Sequence, residues 1–115
     1  MNLVDAWIAY QETGNEQYWW AIDRIDELME NAPEACWEFI LEAMDKSFEK
    51  DKVFACLAAG PLENFIHQWG EEYLEVIYLK TRQDPKFNQL LGGVWGLEEL
   101  KAVWEKLSPI MNHKW

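Results

Sequence analysis

The sequence predicts an all-α fold: a compact irregular bundle, or small stack, of about seven to eight short helices in a single domain spanning residues 1–115. Three observations carry that expectation. Apolar residues recur at helical spacing along nearly the whole chain, no segment alternates as a strand does, and Gly and Pro fall between the apolar sets as tight junctions. With 115 residues, half of them apolar and 15% aromatic, the chain can bury one ordinary core and has little room for a second.

Leu3, Val4, Trp7 and Ile8 follow Asn2, a capping residue, and form a short first helix that Thr13-Gly14-Asn15 ends. Tyr18, Ile22, Ile25 and Met29 then lie on one stripe of a second helix. Pro33 suits the first turn of a third, whose apolar face is Trp37, Ile40, Leu41, Met44 and Phe48. Val53, Phe54, Leu57 and Ala58 make a fourth, which Gly60 is expected to end in a left-handed conformation before Pro61 opens the fifth. The fifth carries Leu62, Phe65, Ile66 and Trp69 up to Gly70. A sixth carries Tyr73, Leu74, Ile77 and Tyr78 until Asp84-Pro85 breaks it. Phe87, Leu90 and Leu91 form a brief seventh. Gly92-Gly93 and Gly96 mark a turn around Val94 and Trp95, and Leu97, Leu100, Val103, Trp104 and Leu107 supply the last helix. The stretch from Ile110 to Trp115 is expected to be loosely held. Trp7, Trp37, Trp69, Trp95 and Trp104 are assigned to the core.

Several chemistries are disfavoured by the residues themselves. Lys and Arg number 10 against 21 Asp and Glu, a formal charge of −11, so direct nucleic-acid binding, which needs a basic footprint, is not expected. The opening residues show no basic start with a long apolar run, and no apolar stretch approaches the roughly 20 residues of a membrane-spanning helix. A cytoplasmic protein without membrane contact is the expectation. Cys36 and Cys56 lack the paired spacing of a zinc or redox motif and read as small buried hydrophobes. Thr13, Ser47, Thr81 and Ser108 lie in no nucleophile-elbow pattern, and the Gly92–Gly96 turn lacks the Lys-Ser/Thr pair of a phosphate loop. Glu63, His67 and Glu71, spaced i, i+4, i+8, would share a face and could hold a cation if the helix ran through Gly70; Gly70 weakens that geometry, and a hydrated helix surface is the simpler reading. No catalytic residue, metal ligand or cofactor is assigned.

The segments "AAGPLENFIHQWGEEYLEVI" and "DPKFNQLLGGVW" resemble a bacterial family of uncharacterised helical domains with a Gly-Pro-Leu-Glu element and a later Asp-Pro-x-Phe…Val-Trp segment. The matching positions are Gly60, Pro61, Leu62, Glu63, Gly70, Asp84, Pro85, Phe87, Leu91 and Trp95, within residues 55–107. The resemblance implies an all-helical fold and a bacterial or mobile-element origin, and it carries no activity. The same residues also serve as helix stops, helix starts and core positions, with Glu63 favourably placed in a helix's first turn.

The charge layout is more informative. Between Glu12 and Asp45 stand ten acidic residues and the single base Arg24, so the net charge is concentrated in the front third of the chain. Glu16, Asp23, Glu27, Glu30 and Glu34 form one helical stripe; Glu34, Glu38, Glu42 and Asp45 form another. Like charges at i, i+4 cost about 0.2–0.5 kcal/mol per pair, a cost that is unexpected in a self-sufficient fold. Solvated helix faces would account for the stripes without a partner; a negative surface complementary to a basic protein would account for their segregation. Eight tryptophans sharpen the second reading, because adjacent Trp19 and Trp20 cannot both point inward. The expected function is therefore a non-enzymatic inhibitor that neutralises a basic protein, as toxin-immunity proteins do, with a nuclease-type toxin favoured. Its expected contact residues are Trp19, Trp20, Asp23, Glu27, Glu30, Glu34, Glu38 and Glu42. An anti-restriction or anti-CRISPR mimic of nucleic-acid charge uses the same physics, and a structural or regulatory homodimer closed by a Trp-rich face is the rival; a monomer suits the inhibitor.

Overall fold

The computed structural model describes residues 1–112 and 115 and is all-helical over them. In chain order the helices are α1 (Leu3–Thr13), α2 (Trp19–Asn31), α3 (Pro33–Ser47), α4 (Asp51–Leu57), α5 (Glu63–Trp69), α6 (Leu74–Gln83), α7 (Pro85–Leu91) and α8 (Lys101–Leu107). Short 3₁₀ turns precede α2 and flank α8 at either end. Local chemistry sets most boundaries. The Asn2 side chain accepts the Asp5 N–H at 2.8 Å, Gly14 closes α1 at φ 68°, Pro33 and Pro85 open α3 and α7, and Asp84 caps α7 through the Lys86 N–H.

Helix α3 is the centre. It packs on α1, α2, α4, α5 and α7, and its Trp37 ring meets Phe65 of α5 at 5.5 Å and Phe87 of α7 at 5.4 Å. The buried side chains form one cluster running from Val4 to Leu107, so front and back halves share a core. Helices α1, α2 and α3 each pack on the other two, which turns their solvent faces away from one another. The second half adds an α6–α7 hairpin and α8 against α6. Buried Asn88 ties these parts together: its amide donates to the carbonyls of Thr81 (3.3 Å) and Ile110 (2.8 Å), and its oxygen accepts the Asn112 N–H at 2.9 Å.

Four expectations are corrected. Gly60 is not left-handed, and α4 and α5 are not separated by a sharp junction; Ala58–Leu62 form a π-helical turn that carries one helical rod from Asp51 to Trp69. Pro61 has no N–H and its ring would crowd the Leu57 carbonyl in a regular α-helix. The wider turn accommodates it, with the Glu63 N–H reaching back to the Ala58 carbonyl. Trp95 is not core: it is 72% exposed, while Val94 and Leu97 on either side are buried. The last predicted helix begins instead as a 3₁₀ turn, Leu97–Glu99, before α8. Nor is the end of the chain loose where it is described. Trp115 bonds Gly92 and Gln89 and stacks on Phe54 at 5.9 Å, against the bare face of Gly93, where a Cβ would come within 2.6 Å of the indole. His113 and Lys114, also in that stretch, lie outside the described residues.

Candidate functional site

Helix α2 places its apolar residues, Ala21, Ile25 and Met29, inward, with Ile22 half-buried beside them. Its remaining faces carry the charge. Trp19 and Trp20 open the helix and are 47% and 46% exposed, so both reach solvent. The Trp19 indole rests edge-on against Tyr10 at 5.4 Å, which anchors it without covering it.

All six carboxylates in the predicted contact set, Asp23, Glu27, Glu30, Glu34, Glu38 and Glu42, are exposed, but they do not form one surface. Asp23, Glu27 and Glu30 follow Trp19 and Trp20 along α2. Glu38 and Glu42 border a crevice between α1 and α3, on another side of the molecule. Glu34, at the start of α3, lies near Tyr73. There burial first, and then the Glu34 and Glu72 carboxylates, raise the phenol's pKa. Some charge is compensated locally. Glu27 pairs with Arg24 at 2.7 Å, Glu42 with Lys46 at 3.8 Å, Asp45 with Lys86 at 3.5 Å and Glu12 with Lys50 at 3.0 Å. Asp23, Asp26, Glu30, Glu34 and Glu38 have no ion pair among the described residues.

A trough separates α2 from the α4–α5 rod. One end, of about 400 Å³, is mainly apolar, walled by Trp7, Ile22, Ile25, Met29, Cys56 and Pro61. It continues through Asp26, Met29 and Asn64 into a polar end of about 450 Å³ bordered by Glu30, His67 and Gln68. The Trp69 indole N–H donates to the Met29 carbonyl at 2.7 Å and fixes the spacing of the two walls. Cys56, expected in the core, is only half-buried and faces this trough, whereas Cys36 is fully buried and burial pushes its thiol up to about 11.

At the polar end the structure assembles something that sequence reasoning missed. Glu63 and His67, one turn apart on α5, grip both polar groups of the Trp95 backbone. The Trp95 N–H donates to Glu63 Oε1 at 2.9 Å, and its carbonyl lies 3.2 Å from His67 Nε2, which must carry the hydrogen because a carbonyl only accepts. Gly96 follows at φ 78°, and a Cβ there would lie 3.2 Å from the imidazole. The i, i+4 spacing was the available signal, but it pointed toward a cation and not toward a backbone. Glu71 follows the end of α5, and no group of three or more His, Cys, Asp and Glu side chains among the described residues is gathered to hold a metal. The result is an exposed indole on a backbone held at both ends, built from the two segments that carried the sequence resemblance.

No helix among the described residues is long and apolar enough to cross a membrane. No curated protein and no solved structure matches the chain. A family model does, over residues 9–115, which takes in α2, the trough apart from Trp7, and the Trp95 clamp; the chain belongs to DUF6869, a family of unknown function.

Proposed function

We propose that the protein is a non-enzymatic inhibitor that binds a basic protein and covers its working surface. The favoured form is a monomeric toxin-immunity protein acting in the cytoplasm against a nuclease-type toxin, whose substrate surface must be basic to hold phosphate. One observation carries the reading: Trp19 and Trp20 stand in solvent on α2 beside Asp23, Asp26 and Glu30, none of which has an ion-pair partner among the described residues. Such a surface offers a basic partner an aromatic anchor with a charged rim, and it steers the encounter at long range. The same carboxylates would serve an anti-restriction or anti-CRISPR protein that presents nucleic-acid-like charge. A homodimer through Trp19 and Trp20 would set two copies of this carboxylate row against each other, which disfavours it.

Affinity capture from the native host, with the wild type and with Asp23→Lys/Glu27→Lys/Trp20→Ala, tests the proposal. These side chains are exposed, so helicity should persist while association with a basic partner slows at least tenfold at low salt. A partner retained undiminished by the triple variant overturns the electrostatic account. Light scattering that finds a salt-insensitive dimer favours the homodimer.

A further inference from the structure

We infer that the trough between α2 and the α4–α5 rod receives a segment of the basic partner in which a bulky apolar side chain stands next to Lys or Arg. This rests on the proposed function and names the chemistry that would be recognised. The two ends of the trough call for different groups. The apolar end removes a hydrophobic side chain from water against Ile22, Ile25 and Met29, and its volume of about 400 Å³ lies within the range of ligand sites. Where the walls turn polar, Asp26 and Glu30 sit one helical turn apart on α2 with no cation paired to them among the described residues. A cation entering there meets two carboxylates at once, with the Asn64 and Gln68 amides alongside. A purely apolar ligand leaves that charge unused, and an anionic one is repelled by it. A second copy of a chain with net charge −11 is likewise disfavoured. The walls are held apart at a fixed width by the Trp69–Met29 bond, so the site is largely formed before binding.

Cys56 reports occupancy directly, because it lines the apolar end while Cys36 is buried and protonated. The probes are an 18-residue amphipathic Lys/Leu peptide and an oligolysine of equal charge, tested on the full chain. Alkylation of Cys56 by iodoacetamide is followed by peptide mapping, and methyl NMR of Met29 and Ile25 provides a second readout. Saturating Lys/Leu peptide should slow Cys56 alkylation at least tenfold and shift both methyl signals, while oligolysine should do neither. Asp26→Lys/Glu30→Lys, both surface changes, should return the alkylation rate to within twofold of the free protein. Salt-sensitive peptide binding by calorimetry with Cys56 and the methyl signals unaffected overturns the trough assignment and leaves the acidic-face reading standing. Binding of neither basic peptide overturns both. Equal protection by oligolysine shows that charge alone suffices and overturns the apolar part.

Discussion

Trp37 and Trp95 show how differently one residue type is used. Trp37 lies between two phenylalanine rings at the meeting of α3, α5 and α7, so Trp37→Ala should cost about 3–5 kcal/mol in urea unfolding. Trp95→Ala removes a side chain that is 72% exposed and should leave the urea midpoint nearly unchanged, within about 0.5 kcal/mol. Gly96→Ala, by contrast, forces a Cβ into a left-handed position against His67 and should cost about 1–2 kcal/mol, read in the same experiment. Asn88→Ala removes the partner of three backbone groups in two segments, α6 and the C-terminal stretch, with an expected loss of about 2 kcal/mol and faster hydrogen exchange at Asn112. Cys36 supplies a pH signature. Its folded pKa, about 11, exceeds the ordinary value of 9.0, so the folded state keeps the proton that the unfolded chain releases. This contribution to stability is fully present below pH 9.0 and is lost as the pH rises toward about 11; Cys36→Ala should flatten that part of the stability–pH curve.

The π-helical turn is the element on which the candidate site depends. It absorbs one residue beyond a regular turn, and so keeps α5 in phase with α4 although Leu57 and Leu62, both buried, are five positions apart. That phase buries Leu62, Phe65 and Ile66 while presenting Glu63 and His67 to Trp95. Deleting Gly60 should restore regular winding with α5 still in phase, because four residues of α-helix turn through nearly the same angle as the five of the wide turn. Leu57 and Leu62 would then stand one regular turn apart, and calorimetry should show the cooperative transition retained; its loss would mean that the wide turn itself is required. Pro61→Ala keeps the residue count and should retain the π-turn, because the core on both sides fixes the register. The helical spacing of Leu57, Leu62, Phe65 and Ile66 was legible in sequence, but their phase across the junction was not, since a Gly-Pro pair is equally consistent with a break and with a bulge.

At the scale of the molecule, the dominant feature is uncompensated negative charge. Each carboxylate on α2 and α3 faces away from the core, as the helical periodicity of the sequence required. Because α1, α2 and α3 pack as a triangle, the two stripes then point in different directions. Self-repulsion should make the fold salt-stabilised: raising ionic strength from about 0.01 to 0.1 M shortens the screening length from about 30 to 10 Å, and the melting temperature should rise. A fall would mean that the surface ion pairs, such as Lys50–Glu12 and Lys46–Asp5, outweigh the repulsion.

By itself the sequence determined the helices, most of their caps, the inward face of each one and the exposure of the acidic residues, because these follow from local propensity and a 3.6-residue period. Only the tertiary structure decided that Trp95 leaves the core, that Glu63 and His67 hold its backbone, and that Cys56 faces a trough instead of the interior. Those outcomes depend on contacts between residues some thirty positions apart and on the angle at which one helix crosses another, and no periodicity within a single segment encodes either.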